Sequence, residues 1–119
     1  MAMIDANKSP SGLLNQLEVT SAVATAILDA ETSTHVNRIH VYNPGASPTA
    51  FTLYHLELSE STPALKNVIQ IGTIAAGAVW VFESQSQGST ISLAKSESLF
   101  LLTATETTYC SVYGHGSQR

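Results

Sequence analysis

The side chains able to do chemistry are four histidines, nine carboxylates and one cysteine, and their spacing decides what they can do together. His35 and His40 are five positions apart. On one regular strand successive side chains alternate faces, so an odd separation puts the two on opposite faces and bars a shared metal ion. His40 and His55 become cross-strand neighbours if their strands pair around Asn43-Pro44-Gly45. Two histidines still supply only half the ligands of a structural zinc site, and Cys110 lies far along the chain. His115, between Gly114 and Gly116, reads as a tail residue and not as a catalytic base.

The carboxylates form no motif either. Glu57 and Glu60 flank a loop, and Glu97 and Glu106 flank the apolar run at Leu99. A paired-acid glycosidase arrangement fits them no better than a polar rim does. The seven glycines stand singly, with no phosphate-cradling loop, and no serine sits in a G-x-S-x-G elbow. Cys110 lies in a strand-like run without a neighbouring base, which suits a small buried hydrophobe better than a nucleophile. The expectation is a protein that is not an enzyme, with no catalytic residues, no cofactor and no metal.

Composition points the same way. Only 12% of the residues are charged, against about 25% in an ordinary soluble domain, and Ser and Thr fill much of the gap. Thr and Ser hydroxyls wet a sheet without charge, and a low-charge surface is cheap to desolvate against a partner. The net charge is −4, and the five basic residues, Lys8, Arg38, Lys66, Lys95 and Arg119, are scattered. Without a basic stripe to neutralise phosphates, direct nucleic-acid binding is not expected. Residues 1–8 lack the basic and apolar regions of a signal peptide, and no run approaches the length of a membrane helix, so a soluble chain made in a cytosol is expected, with no membrane partner.

The elements that must carry these residues are short. Residues 1–12, with the breakers Ser9-Pro10-Ser11-Gly12, read as a flexible arm ahead of one domain over 13–119. Apolar runs follow at 13–20, 22–28, 35–43, 50–58, 68–74, 78–83, 90–93, 98–103 and 108–113. They recur about every ten residues, as in a sandwich or barrel. Asn43-Pro44-Gly45 suits a type II turn, and Ala75-Ala76-Gly77 a compact bend. Connections this short exclude helical crossovers, so the fold class is all-β: a two-sheet antiparallel sandwich, of which the jelly roll is one version.

Several of these runs are apolar on both faces. In Val79-Trp80-Val81-Phe82 one face carries the valines and the other the aromatics, and in Leu99-Phe100-Leu101-Leu102 neither face is polar. Phe51 and Leu53 share one face of their run, while Tyr54, Leu56 and Leu58 share the other. A sandwich of this size has a single internal interface, and large exposed apolar patches on monomers are rare. A second apolar face therefore implies another cover, either loops and arm or a second subunit, and a homo-oligomer is expected.

The segment Ile39-His40-Val41-Tyr42-Asn43, its Pro-Gly turn and Ala50-Phe51-Thr52-Leu53 resembles small virion structural proteins of tailed bacteriophages. Ala75-Ala76-Gly77-Ala78-Val79, Ser98-Leu99-Phe100-Leu101 and Tyr113-Gly114 continue the resemblance, which spans roughly residues 34–114. It implies a β-sandwich that assembles with itself, a trimer being favoured, and with the phage major capsid protein or other virion proteins. The role it implies is a capsid decoration, or cement, protein, made in the host cytoplasm and located in the virion, that bridges capsomers by binding alone. Tyr42, Tyr54, Trp80, Phe82 and Phe100 are the candidate anchors of the subunit and capsid interface. A neck or tail component of the virion and a small carbohydrate-binding module for host attachment are the alternatives.

Overall fold

A computed structural model describes residues 12–58, 60–84 and 91–116. They form nine strands: β1 (Gly12–Val19), β2 (Thr25–Asp29), β3 (Thr34–Tyr42), β4 (Thr49–Leu56), β5 (Val68–Ile74), β6 (Val79–Glu83), β7 (Ile91–Leu93), β8 (Ser98–Thr103) and β9 (Thr108–Gly116). Each falls on one of the nine apolar runs. Residues 1–11 of the expected arm lie outside the described residues, and Gly12 opens β1 opposite Gly114. β2 begins at Thr25 because the segment before it is a turn. There the Val23 N–H donates to the Thr20 carbonyl at 3.2 Å, and Ala22 takes a left-handed φ of 64°.

Two antiparallel sheets result. The first has the order β1-β9-β3-β6, with β7 also on β3, and the second has the order β2-β8-β4-β5. The chain doubles back between β4 and β5, so that β5 pairs with β4, β6 and β7 with β3, β8 with β2, and β9 with β1. Rolling this doubled ribbon up sends alternate pairs to opposite sheets and adds the contacts of β9 with β3 and of β8 with β4. The protein is an all-β two-sheet sandwich, and its strand order is that of a jelly roll.

Side-chain alternation fills the space between the sheets. Val36, Ile39 and Val41 of β3 and Cys110 and Val112 of β9 face Ile27, Phe51, Leu53, Leu99 and Leu101 of the second sheet, all buried. Burying each large aliphatic or aromatic side chain contributes about 1.5–3 kcal/mol, the main force closing the sandwich. Phe51 stacks on Trp80 across the core with ring centroids 4.5 Å apart. Gly72 makes room for this ring, since a Cβ there would lie 2.8 Å from Phe51 Cε1.

The end of the sandwich is tied by Asn43, a fully buried polar residue. Its Nδ2 donates to the carbonyls of Ser47 at 2.9 Å, Ile74 at 3.0 Å and Ala75 at 3.3 Å, and its Oδ1 accepts the Gly45 N–H at 2.9 Å. The type II turn expected at Pro44-Gly45 is not formed. Among the described glycines only Gly77 has positive φ, at 73°, and the Asn43 side chain shapes the 43–45 bend instead. The compact bend at Ala75–Ala78 is present, closed by the Ala78 N–H on the Ala75 carbonyl at 3.0 Å.

Candidate functional site

Each sheet has an outer face, and register says what lies on it. In the first sheet Tyr42 stands between Val79 and Tyr109, His40 between Val81 and Ser111, and Arg38 between Glu83 and Tyr113. Tyr42, Tyr109, Val79 and Val81 are all exposed. The His40 and Tyr113 rings lie 5.4 Å apart, and Arg38 Nη2 pairs with Glu83 Oε2 at 2.8 Å.

The second sheet presents a different outer face. Phe100 stands between Ala26 and Tyr54, Thr52 between Leu102 and Ile71, and Ala50 opposite Thr73. Its four strands read TAILD, SLFLLT, TAFTLYHL and VIQIGTI, and Asp29, at the end of β2, is their single charged residue. Ile71 is 67% exposed and Ile69 43%. β5 is also an edge strand, seven residues long, with no proline and no charge to discourage pairing.

The five predicted anchors divide accordingly. Tyr54 and Phe100 are direct partners on the outer face of the second sheet, half-buried by each other and their neighbours. Tyr42 is exposed on the other sheet. Trp80 points inward against Phe51 and keeps partial exposure. Phe82 does not reach the surface: it is 6% exposed, packed in the core, because β6 turns its aromatics in and Val79 and Val81 out. Ile69, Ile71, Val79, Val81 and Tyr109 are also exposed apolar residues, though none is among the five anchors expected from the sequence. The i, i+2 spacing of the two isoleucines with Thr73 marks a face, but nothing local says that it faces out.

The histidines also fall differently from their spacing. A bulge between Val36 and Arg38 puts one extra residue into β3, so His35 and His40 both point outward despite their odd separation. His40 and His55 are not neighbours, because β3 and β4 belong to opposite sheets. His115 is not in a tail: it lies in β9 directly opposite His35. His55 Nε2 lies 2.9 Å from Glu97 Oε1, which also accepts the Ala94 N–H at 2.9 Å. That N–H first, and His55 second, hold the Glu97 carboxyl below its usual range.

Glu60 closes the 57–67 loop. It takes the Glu57 N–H at 2.9 Å and Lys66 Nζ at 2.7 Å, and Lys66 above all lowers its pKa to about 2. Asn67 Nδ2 adds a bond at 3.0 Å. These carboxylates are tied into loops, each held ionised by donors. Burial pushes the Cys110 thiol up to about 12, so at neutral pH it carries its proton. Among the described residues no group of three or more His, Cys, Asp or Glu could hold a metal ion, and no helix is long and apolar enough to cross a membrane.

The fold and its faces define a β-sandwich domain with an outer face that carries a single charged strand residue, Asp29, at its end, and an open edge strand. No protein-family model matches the chain, and no curated protein does. A solved structure described as Bacillus endospore appendages, a family of disulfide-linked pili, matches 98% of this chain and 99% of its own length. The identity is 9% and the TM-score 0.39, a likeness too distant to bear on what this chain does.

Proposed function

We propose that this protein is a structural subunit without catalytic activity, which assembles with copies of itself through the outer face of the second sheet and the β5 edge. The observation that carries the reading is the scarcity of charge there, Asp29 at one end apart: Phe100, Tyr54, Leu102, Thr52, Ile69 and Ile71 make a surface on which desolvation costs little and apolar contact is gained. Soluble proteins often guard edge strands with lysine or proline; β5 has neither, and beyond the bulge at Ile69 its stretch 70–74 is free to pair. The assembly best matching the sequence resemblance is a tailed-phage virion, in which the subunit decorates the shell and bridges capsomers as a cement protein. The jelly-roll order agrees with that role, since viral shells use it widely, though the same fold serves unrelated functions.

The test is the mass of the full chain by light scattering over a dilution series, for the native sequence and for Ile71→Asp. A trimer in the native chain that dissociates in the variant supports the reading, and binding of that trimer to empty capsids supports the decoration role. A ring of six or more moves the role to a neck or tail component. A native chain that is monomeric at every concentration overturns assembly through this face.

A further inference from the structure

His35 and His115 lie on the outer surface of the first sheet, away from the face used in the proposed assembly. They are a direct cross-strand pair, with ring centroids 5.2 Å apart and planes inclined by 36°. Three local features set the pair up. The bulge after Val36 gives His35 its outward direction. Gly114 lets the strands close up beside it, since a Cβ there would run into the His35 carbonyl oxygen. From β7, Ser92 Oγ lies 3.0 Å from His35 Nδ1, which fixes the ring and leaves Nε2 for a ligand.

Two imidazoles bound to one tetrahedral ion, with metal–nitrogen bonds of about 2.0–2.1 Å, keep their centroids about 5 Å apart. The 5.2 Å separation found here matches that geometry, with His35 held by Ser92 and His115 the ring that turns to meet the ion. We propose that His35 and His115 form a two-histidine chelate for a divalent late transition-metal ion of the zinc or copper type. Imidazole nitrogen suits these ions among the biological metals. Water fills the remaining positions, so the site is exchangeable and differs from a closed structural zinc site. Both side chains are exposed, so no buried contact is lost on binding, and the net charge of −4 favours a cation. The neighbouring positive charge, Arg38, is engaged by Glu83 at 2.8 Å.

The test is calorimetric titration of the metal-stripped full chain with ZnCl2 and, separately, CuCl2 at pH 7.5. One ion per chain is expected. His35→Ala and His115→Ala should each weaken binding at least tenfold, and the double variant should be no worse than either single one, because a lone imidazole is no chelate. Ser92→Ala should weaken it several-fold, and His55→Gln should leave it unchanged. Circular dichroism of each variant checks that the fold is intact. No saturable binding of either ion, or single variants within twofold of the native chain, overturns the proposal.

Discussion

Replacing Asn43 by alanine should cost more stability than its size suggests. The side chain makes three good hydrogen bonds: Nδ2 to the Ser47 and Ile74 carbonyls at 2.9 and 3.0 Å, and Oδ1 from the Gly45 N–H at 2.9 Å. The 3.3 Å contact to Ala75 shares a hydrogen with these and adds little. At about 1 kcal/mol net for each bond, the loss is about 3 kcal/mol. The Ile74 bond is buried, which places its loss at the upper part of that range. Unfolding entropy of about 2.1 cal/mol/K per residue over 119 residues amounts to about 0.25 kcal/mol/K, so Tm should fall by about 12 °C. Thermal denaturation followed by circular dichroism, at one fixed protein concentration because assembly shifts apparent stability, reads the change. A fall of less than about 4 °C would refute the reasoning, since the backbone bonds of Asn43 with Ala78 and Gly77 would then hold this end of the sandwich unaided.

Three further outcomes follow from individual groups. The Thr108 hydroxyl is buried with no hydrogen-bond partner among the described residues, so Thr108→Val, which keeps the shape and removes the polar atom, should stabilise the fold by about 1 kcal/mol, and chemical denaturation that shows a loss instead would mean that the hydroxyl is satisfied. Glu60 and Glu97 both have folded pKa values below their ordinary ones, Glu60 at about 2. Stability from them is therefore complete above the unfolded carboxylate pKa and is lost as pH falls through the folded values, so Tm should drop between about pH 4 and pH 2, and Glu60→Gln should flatten that drop. Cys110, buried and with its pKa pushed up to about 12, should resist thiol reagents at pH 8 in the native protein and react only at the rate of unfolding, whereas rapid labelling would place it near the surface.

The strands were legible because their signal is local. Each run has its period and its closing turn residues within about ten positions, and β5 and β8 match their runs residue for residue. Facing was not legible where both sides of a strand are apolar. In Val79-Trp80-Val81-Phe82 the sequence offers two equivalent faces, and the choice is made by Phe51 on a distant strand, which takes Trp80 as its partner. The bulge in β3 has no glycine or proline to announce it, since its extra residue is Asn37, so the histidine geometry was hidden too. Sheet membership depends on the rolling of the doubled ribbon. That separates β3 from β4 although a short bend joins them, and with them His40 from His55.

The same doubled ribbon sets an order for folding. β4 and β5 meet across a single loop, while β1 must find β9 from the opposite end of the domain, pairing Gly12 with Gly114. Loop-closure entropy makes the first pairing early and the last one late, and topologies rich in distant contacts fold on the slow side, in milliseconds to seconds. The early hairpin is the one that carries the uncharged β5 edge. During synthesis that edge is exposed to other nascent chains well before β1 and β9 close the domain, so yield from expression should be limited by misassembly and should rise at low temperature and low chain concentration.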